Sequence, residues 1–169
     1  ELIASEIGIR TGPGEVTGNA LVTFGGEGSP GVRLSLDVPR MPVGQVKQIW
    51  PWFAAPGARN WVHDNVYGGT VTDSTLSLSL RPGRLGNGIP LGPDEVEGEF
   101  RIDGARFDVA GRMPPVRDAA GLVRFAGEDV DIALDRGTVY LSTGKTVEAR
   151  DGTFLIGGVG GKPAIGRLD

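Results

Sequence analysis

Apolar residues return at every second position over most of this chain, and no other feature limits its possible folds so tightly. Val32, Leu34, Leu36 and Val38 alternate with Arg33, Ser35 and Asp37. The period recurs at Leu76, Leu78 and Leu80 against Ser77 and Ser79. It is cleanest where Val96, Gly98, Phe100 and Ile102 interleave with Glu95, Glu97, Glu99, Arg101 and Asp103. Ala20, Val22 and Phe24 open the series, and Phe107 and Val109 extend it after Gly104. Val130, Ile132 and Leu134, then Val139 and Leu141, and finally Phe154 and Ile156 complete it. Successive side chains of a strand point to opposite faces, so each segment is expected to be a strand with one apolar and one wetted face. Long apolar runs, the mark of a parallel sheet buried under crossover helices, are absent. The expected class is mainly β, built of antiparallel meandering strands.

Turn chemistry fits that class. The 169 residues include 29 glycines and 12 prolines, a content near the level of disordered chains, but the alternation persists between them. Gly25-Gly26, Asp103-Gly104, Gly127-Glu128, Arg136-Gly137 and Asp151-Gly152 separate alternating runs at roughly the 8–12-residue spacing of meandering strands. Asp103-Gly104 and Asp151-Gly152 read as hairpin turns. Longer breaks are expected at Arg81–Gly92 and Arg112–Gly121, and Gly98 and Gly111 are expected to let strands bend.

From Pro42 to Val66 the period of two disappears. Val43, Val46 and Trp50 have helical spacing, Pro51 stops that helix, and Pro56 starts another with Ala58, Trp61, Val62 and Asn65 along one face. Gly68-Gly69 ends it. An insertion of two short helices at 42–66 is expected, holding Trp50, Trp52 and Trp61.

The residue inventory excludes several functions. A net charge of −4, with basic and acidic residues well mixed, offers no basic stripe for nucleic acid. The absence of cysteine removes disulfides and thiolate metal sites. His63-Asp64 is the sole His-carboxylate pair, and on a short exposed helix it reads as surface rather than acid–base machinery. Asp129, Asp131 and Asp135 share a strand and read as a solvated face rather than a cation site. The run from Gly157 to Lys162 lacks the first glycine of a phosphate loop, where Ile156 stands, and has Pro163 in place of its Ser or Thr. No convergent polar site can be assembled, so neither an enzyme nor a cofactor is expected. No apolar run nears the roughly 18 residues of a membrane helix, and a chain beginning at Glu1 is expected to be one segment, 1–169, of a longer repetitive β protein whose membrane anchor lies outside it.

Gln48-Ile49-Trp50-Pro51, then Ala58-Arg59, Trp61-Val62, Asn65-Val66 and Gly68-Gly69-Thr70-Val71, resemble a motif of the YhdP-type branch of AsmA-like envelope proteins. In that branch a Trp-Pro pair precedes an Ala-Arg-x-Trp helix, an Asn-containing turn, a Gly-Gly and a strand, here 71–80. Gly111 to Val116 with Pro114 and Pro115, followed by Asp118-Ala119-Ala120-Gly121 and strands at 122–126 and 129–135, resembles the family's second block. The likeness spans roughly 32–141. It implies an inner-membrane-anchored protein projecting a repetitive β structure into the periplasm. It also implies a sheet curled into a taco-like trough that conducts phospholipid toward the outer membrane. On that implication Trp50, Pro51, Arg59, Trp61, Asn65, Gly68, Gly69, Pro114, Pro115 and Gly121 are structural. The alternating set Val22, Phe24, Leu34, Leu36, Leu76, Leu78, Leu80, Val96, Phe100, Ile102, Phe107, Val109, Val130, Ile132, Leu134, Val139, Leu141, Phe154 and Ile156 lines the groove. The partners are then phospholipid, or another acyl-chain lipid, and neighbouring β repeats of the parent chain. Alternation alone favours a sheet sealed by a covering layer, a structural or interaction domain, and it is the resemblance that turns the reading toward an open groove. The tryptophans admit two further readings: helix anchors, or a surface for membrane or sugar.

Overall fold

A computed structural model describes residues 2–25, 28–52, 56–108, 114–156 and 165–167. The chain is mainly β. It runs β1 (Leu2–Thr11), β2 (Gly14–Thr23), β3 (Gly31–Pro42), α1 (Val43–Ile49), α2 (Pro56–Asn65) and β4 (Val66–Tyr67). Then follow β5 (Thr70–Leu80), β6 (Val96–Phe107), β7 (Val116–Ala126), β8 (Asp129–Tyr140), β9 (Thr146–Ile156) and β10 (Ile165–Arg167). One sheet orders them β1-β2-β3-β5-β6-β7-β8-β9-β10, with the short β4 paired to β6. All pairings are antiparallel. Strands adjacent in sequence are adjacent in space, apart from the helical detour between β3 and β5.

Register gathers the alternating residues onto one face. Ala20, Leu34, Leu78 and Val96 form a row across β2, β3, β5 and β6. Leu36, Leu76, Gly98, Phe125, Val130 and Ile156 form the next, and Phe100, Val123, Ile132 and Phe154 the one after. The rows between them carry charge: Asp37, Thr75, Glu99, Arg124 and Asp131 follow one another across the sheet. A slip of one residue in any pair would carry a whole apolar set into water, and this holds the register.

The strands are longer than the turns in the sequence imply. Asp103-Gly104, Arg136-Gly137 and Asp151-Gly152 lie inside β6, β8 and β9, not at hairpin ends. At each the inward set changes phase: Phe100 and Ile102 give way to Ala105 and Phe107, Ile132 and Leu134 to Gly137 and Val139, Phe154 and Gly152 to Ala149. β5 does the same, from Leu76 and Ser74 to Val71. Bulges take up the extra residues, with register shifts between Thr72 and Thr75, between Ile102 and Ala105, and between Arg117 and Ala120. Left-handed backbone marks these places, at Asp73 (φ 45), Gly104 (φ 68), Asp118 (φ 51) and Asp151 (φ 52), residue types that visit this region most readily. A phase break in alternation looks like a turn in sequence, but a bulge lets one strand continue with its apolar side still inward.

One further expectation is corrected: Val116 to Gly121, read as part of a break, belong to β7. At Gly98 packing also requires glycine, since a Cβ there would meet the Phe125 ring at 2.6 Å. The sheet is not strongly curled. The helices and the 81–95 loop pack against the same apolar cluster as the sheet. Val109, Gly111 and the 157–162 run lie outside the described residues.

Candidate apolar groove

The apolar face has covered and open parts. Pro42 precedes α1, which is stopped at Trp50 before Pro51, and the Trp50 N–H still donates to the Val46 carbonyl (2.9 Å). That stop aims the Trp50 indole at the sheet, where it stacks on Phe100 (centroids 6.0 Å apart) and Phe125 (5.5 Å), which stack on each other at 5.8 Å. Val43 and Val46 are buried in the same cluster, and Trp61 and Val62 of α2 pack on it. At the other end of the sheet, Leu85 and Leu91 of the 81–95 loop join the cluster beside Leu78, Leu80 and Val96.

Polar bonds hold these covers down. The Lys47 ammonium donates to the carbonyls of His63 (3.0 Å) and Val66 and lies 5.0 Å from the Tyr67 ring centre, while His63 Nε2 sits 3.1 Å from the Lys47 carbonyl. This ties α1 to the C-terminal end of α2, whose last carbonyls lack helical partners. Burial pushes the Lys47 ammonium below the ordinary lysine value, and Asp64 partly offsets it. In the loop, all five N–H groups of Arg84 are used. They reach both carboxylate oxygens of Glu95 (2.5 and 2.6 Å), Asn87 Oδ1 (2.8 Å), and the carbonyls of Ile89 (2.8 Å) and Pro90 (2.6 Å). Glu95 also accepts from the Gly92 N–H (2.8 Å). The Arg84 hydrogen bond holds the Glu95 carboxyl below the ordinary carboxylate range.

The structure distributes the groove candidates unevenly. Leu78, Leu80, Val96, Phe100, Phe107, Val130, Ile132 and Leu134 are buried. Val22, Leu34, Leu36, Leu76, Ile102, Val139 and Phe154 are half-buried, while Phe24 and Leu141 are exposed at strand ends. Ile156 lies in the Leu76–Val130 row, and its side chain is not among those described. An apolar hollow opens between α2 and strands β6, β7 and β8, about 400 Å³ counting the space continuous with solvent. Trp61 and Val66 stand over it, and its floor includes Ala105, Ala119 and Gly121.

The motif residues serve as joints. Arg59 Nε donates to the Trp50 carbonyl (3.4 Å) and Asn65 Nδ2 to the Trp61 carbonyl (2.8 Å), while the Asn65 carbonyl accepts from the Asp108 N–H (2.8 Å). Gly69 (φ +79) passes so close to Ala105 that a Cβ would meet it at 2.9 Å, and Gly121 lies as close to the Ala133 carbonyl. Gly68 (φ +64) makes the turn before them, Pro51 is half-buried, and Pro114-Pro115 lead half-buried into β7. Trp52 is 72% exposed.

Sequence reasoning missed β1, the loop cover with Leu85 and Leu91, and the Arg84–Glu95 clamp. Ile7 and Ile9 of β1 carry an alternation that could have been found; a clamp across eleven positions of irregular chain leaves no periodic trace. Among the described residues no group of three or more His, Asp or Glu side chains could hold a metal ion, and no helix is long and apolar enough to cross a membrane. No family model, no curated protein and no solved structure matches the chain.

Proposed function

We propose that this chain is a non-enzymatic segment of a periplasmic, AsmA-like phospholipid conduit, offering acyl chains an apolar track between the inner and outer membranes. The observation that carries this reading is the single apolar face in register from β2 to β9, on which Leu34, Leu36, Leu76, Ile102, Val123 and Phe154 remain only half-buried. Seven strands at about 4.8 Å spacing would give such a track a length of roughly 30 Å. Each methylene leaving water for that face gains about 0.8 kcal/mol, with no specific hydrogen bond required. The motif around Trp50 and Trp61 supports the family assignment. In the parent protein neighbouring β repeats would extend the sheet at β1 and β10, and the curl into a trough would belong to that longer assembly.

A sealed structural or interaction domain is the second reading, favoured by the Trp50–Phe100–Phe125 stack and the loop cover over the same face. Native mass spectrometry of the purified chain, alone and with added phosphatidylglycerol, separates the two. The control is Leu36→Gln with Leu76→Gln, neighbours across β3 and β5 that are not fully buried. Leu78 and Ile132 are poor controls because both are already buried and a polar group there threatens folding itself. Bound phospholipid that is lost in the folded control is the result expected for a conduit. A wild-type chain that takes up no lipid would leave the sealed domain.

A further inference from the structure

We infer that Asn87-Gly88, in the 81–95 loop, is a site of self-catalysed deamidation, with Arg84 and the Ile89 N–H forming an oxyanion hole over the Asn87 side-chain amide. Asn87 Oδ1 accepts from Arg84 Nη1 (2.8 Å) and from the Ile89 N–H (3.0 Å). The second bond closes an Asx turn, which folds the side-chain amide back over the peptide that follows. That peptide nitrogen belongs to Gly88, which is exposed, has a left-handed φ of 79° and carries no Cβ to block attack on Asn87 Cγ. Asn19, Asn60 and Asn65 precede the bulkier Ala20, Trp61 and Val66. In the reaction the Gly88 nitrogen gives its proton to water and bonds to Cγ, and the carbonyl π pair moves to Oδ1. Two donors already in place meet the new charge there. One is a guanidinium whose side chain is only 16% exposed, so water competes poorly with it. Collapse expels Nδ2 as ammonia, which takes back the proton through water, and leaves a five-membered succinimide. Water opens either carbonyl of that ring, to aspartate or to isoaspartate, so the sum is amide plus water giving acid plus ammonia. Isoaspartate adds one methylene to the main chain inside the turn that Arg84 fastens through Asn87, Ile89 and Pro90. Conversion thereby loosens the loop that covers Leu78, Leu80 and Val96.

The test is the rate at which the full chain loses the Asn87 amide in neutral buffer, followed by peptide mass spectrometry with isoaspartate separated by chromatography. Conversion is expected at Asn87 and not at the other asparagines, about tenfold faster in the folded chain than in the same chain unfolded in urea. Arg84→Met distinguishes an oxyanion donor from a mere restraint, because the two predict opposite signs. Loss of the donor slows conversion about tenfold, whereas loss of a restraint frees the loop and quickens it. A rate that is unchanged or faster in folded Arg84→Met would overturn the site. Should that variant not fold, the wild-type comparison decides alone, and conversion as fast in urea as in the folded chain overturns it. Equal protease sensitivity of the loop before and after conversion would overturn the loosening.

Discussion

Ser74 sits where β5 carries one residue more than β6, and its hydroxyl repairs the ladder there. It donates to the Thr72 carbonyl (2.7 Å) and accepts from the Arg101 N–H (3.1 Å), which the bulge would otherwise leave without a partner. Asn19 does the same at the β1 bulge, accepting from the Glu6 N–H at 3.2 Å. Ser74 is 2% exposed, so water cannot replace it, and Ser74→Ala should cost about 1–2 kcal/mol in urea unfolding. An unchanged midpoint would mean that Arg101 finds another acceptor. The Arg84–Glu95 clamp makes a second prediction at this scale. Because its folded pKa is lowered, Glu95 contributes stability that is present above the ordinary carboxylate pKa and is lost as pH falls through the lowered one. Limited proteolysis of the 81–95 loop should therefore accelerate on acidification in the wild type and be fast and flat with pH in Glu95→Gln. Equal pH profiles would remove Glu95 as the cause.

At the scale of elements, the helix pair was the most legible part of the fold and the bulged strands the least. Pro42, Pro51, Pro56 and Gly68-Gly69 punctuate α1 and α2 by local dihedral limits that act wherever the chain goes. A bulge is different: whether Asp103-Gly104 turns the chain back or kinks one strand depends on the partner opposite, and β7 supplies it between Ala119 and Gly121. The face that the helices cover was likewise illegible, since the Trp50 stack joins α1 to β6 and β7, far apart in sequence. Lys47 is the pin of that cover, and Lys47→Met keeps its stem while removing the bonds to His63 and Val66. The expected result is faster amide exchange in α2, by the loss of about 1 kcal/mol of local stability, with exchange in β6 to β8 unchanged. Protection lost equally in the sheet would show that the helices are part of its core rather than a cover.

Over the whole molecule, one contiguous apolar cluster runs from Val16 on β2 to Ala149 on β9 and includes both covers. Such continuity predicts a single cooperative transition, with tryptophan fluorescence from the helices and far-UV circular dichroism from the sheet superimposing in urea. Separated curves would divide the chain into independent parts. Composition and alternation determined by themselves that this is an antiparallel β chain with a two-helix insertion and one apolar face, because a period of two and a proline's missing N–H act through near neighbours. The tertiary structure alone decided that ten strands share one open, weakly curled sheet, that three apparent turns lie inside continuous strands, and which groove residues are sealed. Those outcomes rest on long-range pairing and on which surfaces compete to cover the same apolar rows, and neither is encoded at any single stretch of the chain.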